Sequence, residues 1–97
     1  MSVKSAKILV YGLVQGVGYR YAVMRIAKQH SVVGVVRNLP DSRVEIHAEG
    51  EEAALKKFIE AIKISDSMIG VMKVEVEWSD KPTNNFSSFE VMRSGFA

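Results

Sequence analysis

The sequence predicts an α+β fold, a two-layer sandwich in which an antiparallel sheet carries two helices on one face. Three observations predict it: segments of alternating polarity, segments with apolar residues at helical spacing, and the βαββαβ order in which they occur. A short apolar segment near the end adds a fifth strand. The chain has 97 residues, 47% hydrophobic and 25% charged, so we expect one globular domain over residues 1–97.

The first half of the chain predicts a strand, a helix and a second strand. Residues 7–13 alternate and are rich in Ile, Leu, Val and Tyr, which is typical of a strand. After a glycine-rich loop, apolar residues at helical spacing predict a helix that ends near His30. A continuous apolar segment over 32–39, interrupted by Gly34, predicts the second strand.

The second half begins with turn residues at 40–43 and an alternating third strand that Gly50 ends. Its polar positions are Glu45, His47 and Glu49, so we expect a strand with one solvent-exposed face. Glu51 and Glu52 suit the first turn of a helix whose buried stripe is Leu55, Phe58, Ile59 and Ile62. A loop at 65–70, a strand at 72–78, a polar turn at 79–85 and a short strand containing Phe89 and Val91 follow.

This order of elements is that of a ferredoxin-like sandwich. In that fold the first two strands run parallel, with the third strand inserted between them. Their C-terminal ends then share one edge of the sheet, about 9.5 Å apart, which is twice the spacing of neighbouring strands. We therefore expect the glycine-rich loop to face the Arg37-Asn38 end of the second strand across a gap that one arginine side chain could span.

Composition limits the possible functions. The chain contains no cysteine, which excludes disulfides, thiolate metal sites and cysteine nucleophiles. The net charge of +2 comes from scattered rather than clustered residues, so we expect no nucleic-acid partner. We see no signal peptide and no apolar segment of membrane-spanning length, and expect a cytoplasmic monomer without a membrane partner.

The loop between the first strand and the first helix reads GLVQGVGYR, residues 12–20. It lacks the Gly-Lys-Ser/Thr ending of a Walker loop and the third glycine of a dinucleotide fingerprint. Arg20, however, would sit at a helix N-terminus that is already positive, an arrangement that an oxyanion stabilises. The alternative is a surface arginine that points into water.

The loop resembles the signature G-x-V-Q-G-V-x-[FY]-R of the acylphosphatase family, and Gly34-Val35-Val36-Arg37-Asn38 resembles the family's second motif, G-[FYW]-[VA]-x-N. The resemblance covers about residues 4–92 and departs from the family pattern at three positions. Val35 replaces an aromatic residue, Ser42 replaces a common glycine, and Met68 lies near a frequent proline. We expect these departures to affect packing and the hairpin turn rather than chemistry.

The resemblance implies an enzyme that hydrolyses acyl phosphates to a carboxylate and inorganic phosphate, which would also be a competitive inhibitor. It assigns catalysis to Arg20 and Asn38, with Asn38 holding the attacking water. No cofactor or metal is expected. The phosphoryl group would be held by the Arg20 side chain and by backbone amides of Gln15, Gly16, Val17, Gly18, Tyr19 and Arg20.

Neither histidine is expected to be a general base, because His30 lies near a helix end and His47 on a polar strand face. Two binding modules without catalysis remain as alternatives, an RNA-binding domain and a small-molecule regulatory domain. The third strand carries glutamates and no aromatic residue, which disfavours RNA stacking. We interpret the aromatic residues Trp78, Phe58 and Phe89 as core or partly exposed packing rather than as a ligand site.

Overall fold

The computed structural model describes residues 2–15, 18–63 and 70–92. It confirms the predicted sandwich, with two helices packed on one face of a five-stranded sheet. The elements are β1 (Val3–Leu13), α1 (Tyr19–Gln29), β2 (Val33–Asn38), β3 (Val44–Glu51), α2 (Glu52–Lys63), β4 (Gly70–Ser79) and β5 (Phe89–Val91).

The strands lie in the order β4-β1-β3-β2-β5. β3 runs antiparallel to both β1 and β2, so β1 and β2 are parallel with β3 between them, as expected. β5 pairs in parallel with β2, which makes the sheet mixed. Gly34 does not interrupt β2; it brings the strand close to β3, where a Cβ would lie 1.9 Å from the carbonyl oxygen of His47.

The core lies between the sheet and the helices. Alternate residues of β1 and β3 are buried against the helices, among them Ile8, Val10 and Ile46. Phe58 of α2 packs against Phe89 of β5 with ring centroids 5.9 Å apart, which confirms both as core residues. Trp78 is 42% exposed.

The boundary between β3 and α2 differs from the prediction. Gly50 does not end β3, and Glu51 belongs to the strand rather than to the helix. The cause is the start of β1, which extends back to Val3 and pairs with Glu51. The helix begins at Glu52, whose N–H donates to the carbonyl of Ser2 at 2.9 Å.

The outer face of β3 is not the solvent-exposed face that the alternation predicted. Glu45 and Glu49 are only 6% and 4% exposed, whereas the His47 side chain between them is 43% exposed. The connection between β4 and β5, residues 80–88, lies against this face, and Glu49 accepts hydrogen bonds from it. Alternation with a period of two correctly assigned the outward-facing residues of β3, but it carried no information about which segment covers them.

The predicted loop at 65–70 falls largely on residues 64–69, which lie outside the described residues, as does Met68; Gly70 begins β4. Among the described helices, none is both long and apolar enough to cross a membrane.

Candidate active site

The end of the sheet where β1 and β2 terminate carries the predicted site residues. α1 begins here, after Gly18, whose φ of 79° is a left-handed conformation that suits glycine. Its first turn holds no acidic residue, and no side chain of the described residues caps it. The N-terminal amides of α1 therefore form a positive helix end that no carboxylate of the first turn opposes. Gly16 and Val17 lie outside the described residues.

Tyr19 anchors the start of α1 to the core. Its side chain is 1% exposed, and its hydroxyl donates to the carbonyl of Ile62 in α2 at 3.2 Å. Burial raises the pKa of Tyr19, so the phenol stays protonated. The side chain of Tyr19 thus faces the core rather than the solvent.

Arg20 does not point simply into water. Its Nη1 donates to the carbonyl of Met92 at 2.5 Å, directly after β5. The N–H of Met92 in turn donates to the carbonyl of Val36 at 2.9 Å, so this backbone segment continues along β2. The guanidinium is therefore held at the edge where β2 and β5 end. This partner belongs to the backbone and has no signature in the sequence.

Asn38 is the last residue of β2 and shares the helix-facing side of the sheet with Val36, which is fully buried. Its Oδ1 is buried and accepts no hydrogen bond from the described residues. A buried amide oxygen without a partner costs free energy, on the order of 1–3 kcal/mol. The Asn38 amide consequently has hydrogen-bonding capacity that a ligand or water at this edge would satisfy.

Arg37 does not join this site, because it lies on the opposite face of β2. Its Nη2 is 2.6 Å from Glu45 Oε1. Burial acts to raise the pKa of Glu45, but the hydrogen bond and charge of Arg37, with smaller contributions from His47 and Lys7, lower it below its usual range. Arg37 is thus part of a charge network on the outer face.

Gln15 contacts the β2–β3 hairpin through its side chain. Its Nε2 donates to the carbonyl of Leu39 at 2.8 Å and to that of Arg43 at 2.9 Å. These bonds join the loop before α1 to the residue that directly follows Asn38. The loop is therefore tied to both sides of the end of β2, by Gln15 to the hairpin and by Arg20 to Met92.

The histidines lie away from this edge. His30 is at the C-terminal end of α1, opposite to Arg20. His47 is on the outer face, where its Nε2 is 3.5 Å from Glu45 Oε1. Within residues 2–15, 18–63 and 70–92, no group of three or more His, Asp or Glu side chains could hold a metal ion. The chemistry available at the site is accordingly that of amide dipoles, a guanidinium and a carboxamide.

Two helices on one face of a five-stranded sheet, in the order βαββαβ with a short fifth strand, define the class of small ferredoxin-like α+β proteins. The sequence model of the acylphosphatase family matches residues 6–91. The acylphosphatase of Archaeoglobus fulgidus is 46% identical over 85 residues, which are 88% of this chain and 93% of that protein. The chain belongs to the acylphosphatase family, and it is an enzyme of that kind, a hydrolase of acyl phosphates.

Solved structures agree with this assignment. The crystal structure of acylphosphatase from Bacillus subtilis superposes with a TM-score of 0.87 at 38% identity, covering 92% of this chain and 98% of that one. The HypF protein of T. kodakarensis contains a similar domain, with a TM-score of 0.81 and 34% identity. That match covers 95% of this chain but 12% of HypF.

Proposed function

We propose that this chain hydrolyses acyl phosphates by direct attack of a water molecule positioned by Asn38. The phosphoryl group under attack is held by the guanidinium of Arg20 and by the backbone amides of residues 15–20. The observation that carries this proposal is the buried, unpartnered Oδ1 of Asn38 beside a loop that Gln15 ties to Leu39.

The phosphoryl group requires positive potential, because its oxygens carry the charge of the transition state. The amides at the start of α1 supply it from the backbone, and Arg20 supplies a permanent charge. A guanidinium has five N–H donors, so the bond to Met92 is compatible with a second, forked contact to two phosphoryl oxygens. Arg20 also loses less freedom on binding, since that bond already restrains it.

Asn38 is suited to hold the attacking water. A carboxamide accepts a hydrogen bond from water through Oδ1 without bringing negative charge near a phosphate dianion. An aspartate at this position would repel the substrate. The side-chain oxygen that the described residues leave unsatisfied therefore has the chemistry that the water requires.

The bond changes need no general base in the protein. The water oxygen bonds to phosphorus while the phosphorus–oxygen bond to the acyl group breaks, and the electron pair leaves with the carboxylate. This leaving group is a weak base and departs unprotonated. The proton of the water passes to a phosphoryl oxygen and ends on inorganic phosphate or in solvent. The products are one carboxylate and one phosphate.

Inorganic phosphate retains the group that Arg20 and the amides contact, so we expect it to be both product and competitive inhibitor. The chain would act as a monomer of one domain over 1–97 and needs no nucleic acid, membrane or cofactor for this reaction.

The experiment that tests the proposal is benzoyl phosphate hydrolysis in water enriched in ¹⁸O, under conditions where the enzymatic rate far exceeds the spontaneous rate. Attack at phosphorus places the label in phosphate, whereas attack at the acyl carbon places it in benzoate. We expect one label per phosphate and none in benzoate, with inorganic phosphate raising KM and leaving kcat unchanged. Label in benzoate, or phosphate inhibition that lowers kcat alone, contradicts the proposed geometry.

A further inference from the structure

We infer that two exposed cations of α1 attract the anionic substrate towards the end of the helix where Arg20 lies. We call these two side chains, Arg25 and Lys28, the basic face of α1. The inference rests on the proposed function, since it takes Arg20 to hold the phosphoryl group. It adds a contribution that acts at a distance, before the substrate reaches any contact with the protein.

The charge of α1 is not balanced within the helix. It has three cations, Arg20, Arg25 and Lys28, and no acidic residue. The whole chain has 13 lysine and arginine residues and 11 acidic residues, so the segments outside α1 have 10 cations and 11 acids, and together carry one net negative charge. The positive excess, which is scattered along the sequence, is therefore collected on one helix by the fold.

The basic face also differs from most other cations of the protein in having no acidic partner. Outside α1, nitrogens of seven cations lie 2.5–3.9 Å from carboxylate oxygens, namely those of Lys4, Lys7, Arg37, Arg43, Lys56, Lys63 and Lys73. Arg25 and Lys28 form no ion pair with any residue in 2–15, 18–63 or 70–92. Opposite charges in a pair largely cancel at a distance, whereas an unpaired cation attracts anions from the surrounding solvent.

The basic face is close enough to Arg20 to act on the same anion. Residues 25 and 28 lie about 7.5 and 12 Å farther along the helix axis than residue 20. The Debye length is about 30 Å at 0.01 M ionic strength and about 8 Å at 0.15 M. Both cations therefore act on an anion at Arg20 in dilute salt and are partly screened at physiological ionic strength. The dipole of α1 adds to their effect, because its positive end is the end near Arg20.

A structural role accounts for only one of the two cations. Lys28 lies in the last turn of α1, where a cation stabilises the negative end of the helix dipole. Arg25 lies in the middle of the helix, where that interaction is weak, and its side chain is exposed. Arg25 is therefore the residue at which the inference is tested.

The test variants are Arg25→Gln and Arg25→Glu, which change the charge by one and by two units. At about 0.01 M ionic strength, we expect the KM for benzoyl phosphate and the inhibition constant of inorganic phosphate to rise together, by about 3-fold in Arg25→Gln and about 9-fold in Arg25→Glu, with kcat unchanged. At about 0.15 M, the effect of Arg25→Gln should fall below about 2-fold. Arg25→Lys keeps the charge and should match the wild type under both conditions.

The matched control is Lys81→Gln, which removes the same charge at the far end of the molecule. The side chain of Lys81 is exposed, and its carbonyl lies 3.5 Å from Ser5 Oγ, near the start of β1. Arg20 follows the other end of that strand, so the two cations are about 25 Å apart. We expect the KM of Lys81→Gln at about 0.01 M ionic strength to change by less than about 1.5-fold.

Two results would overturn the inference. Equal shifts of KM in Arg25→Gln and Lys81→Gln at low ionic strength would show that only the net charge of the protein matters. Shifts that do not depend on ionic strength would show a local effect of the substitution rather than attraction at a distance.

Failure of the proposed function gives a different result. If Arg20 does not hold the phosphoryl group, Arg20→Ala will bind inorganic phosphate as the wild type does at about 0.15 M ionic strength, where distant charges are screened. If only the inference is wrong, Arg20→Ala will lose phosphate binding under the same conditions, and Arg25→Glu will bind phosphate as the wild type does even at low ionic strength.

Discussion

Arg37 and Asn38 are neighbours in β2, yet their side chains lie on opposite faces of the sheet. The two faces differ in whether their buried polar groups have partners within the protein. On the outer face, the buried carboxylate of Glu45 is paired with Arg37, and that of Glu49 accepts bonds from Thr83 and Asn84. On the helix-facing side, the buried Oδ1 of Asn38 has no partner among the described residues.

This difference distinguishes buried polar groups that stabilise the fold from a buried polar group that is available to a ligand. Burying a polar group costs free energy that partners must offset, so a buried group with its partners inside the chain stabilises the fold. A buried group without partners costs stability and is retained where a ligand satisfies it. By this criterion the outer-face carboxylates Glu45 and Glu49 are structural, and the end of β2 is the side that we propose to be catalytic.

The largest expected effect is on the catalytic side, at Arg20. Arg20→Ala removes the guanidinium that we propose holds the phosphoryl group, and we expect kcat/KM for benzoyl phosphate to fall by roughly 10²–10³-fold, the scale for removing one electrostatic stabiliser. Arg25→Ala, on an exposed part of the same helix, is the control for lost positive charge. Equal activity in both folded variants would remove Arg20 from the mechanism.

The next effect is at Asn38. Asn38→Ala removes the group that we propose holds the attacking water and leaves the proposed phosphate contacts intact, so we expect kcat to fall on the order of 10²-fold while phosphate inhibition changes by less than about threefold. Asn85→Ala, which truncates an exposed asparagine, should behave as the wild type. An equal loss of turnover and phosphate binding would mean that Asn38 binds the phosphoryl group instead.

On the outer face we expect a substitution to lower stability and to leave activity unchanged. Glu49→Ala leaves the Thr83 and Asn84 donors without their acceptor, and we expect the free energy of unfolding to drop by about 1–3 kcal/mol with benzoyl phosphate hydrolysis unchanged. Glu77→Ala, exposed on β4, is the stability control. Urea unfolding measures the first quantity. Lost activity at unchanged stability would break the distinction between the two faces.

The hairpin that follows Asn38 contains a strained residue. Ser42 has a φ of 74°, a left-handed conformation that costs an L-residue on the order of 1 kcal/mol, and the acylphosphatase pattern commonly has glycine there. Ser42→Gly should therefore raise the free energy of unfolding by up to about 0.6 kcal/mol, after subtraction of the roughly 0.4–1 kcal/mol that the greater freedom of glycine in the unfolded chain costs. Lower stability in urea unfolding would contradict this account of the turn.

The smallest effect concerns pH. Burial acts to raise the pKa of Glu49, but the hydrogen bonds from Thr83 and Asn84 lower it below its usual value. Because the folded pKa is the lower one, this stabilisation is complete above the unfolded pKa, about 4.3, and is lost as pH falls through the folded value. The difference in unfolding free energy between wild type and Glu49→Gln should therefore shrink below about pH 4.3. If this difference in unfolding free energy instead grew as the pH fell, the pKa of Glu49 would have to be raised by folding rather than lowered.

Much of the fold was predictable from periodicity and order. The alternation of β1 and β3 and the stripe of α2 identified the core residues, and the βαββαβ order placed β3 between β1 and β2. The burial of Glu49 was not predictable, because Glu49 binds Thr83 and Asn84 of the distant connection between β4 and β5. The burial of Glu45 was not predictable either, because its ion-pair partner Arg37 comes from the neighbouring strand. The extension of β3 past Gly50 depends equally on a distant partner, Val3.

The candidate site also has a part that could be predicted from the sequence and a part that could not. Arg20 and Asn38 were predicted as site residues from motif resemblance, and Arg20 also from the conflict between a cation and a positive helix end. Asn38 ends β2 and Arg20 lies in the first turn of α1. The partners of Gln15 and Arg20 are backbone carbonyls of Leu39, Arg43 and Met92, which exist at every residue. Only the fold decides which of them a side chain meets.

The most direct test of the central claim is a crystal structure of the protein with phosphate bound at saturating concentration. We expect the tetrahedral anion between the Arg20 guanidinium and the first-turn amides of α1, with an ordered water hydrogen-bonded to Asn38 Oδ1 and lying opposite one of the phosphorus–oxygen bonds of the anion. An anion bound elsewhere, or an Asn38 oxygen satisfied by the protein's own donors, would contradict the claim that this edge is built for phosphoryl transfer to water.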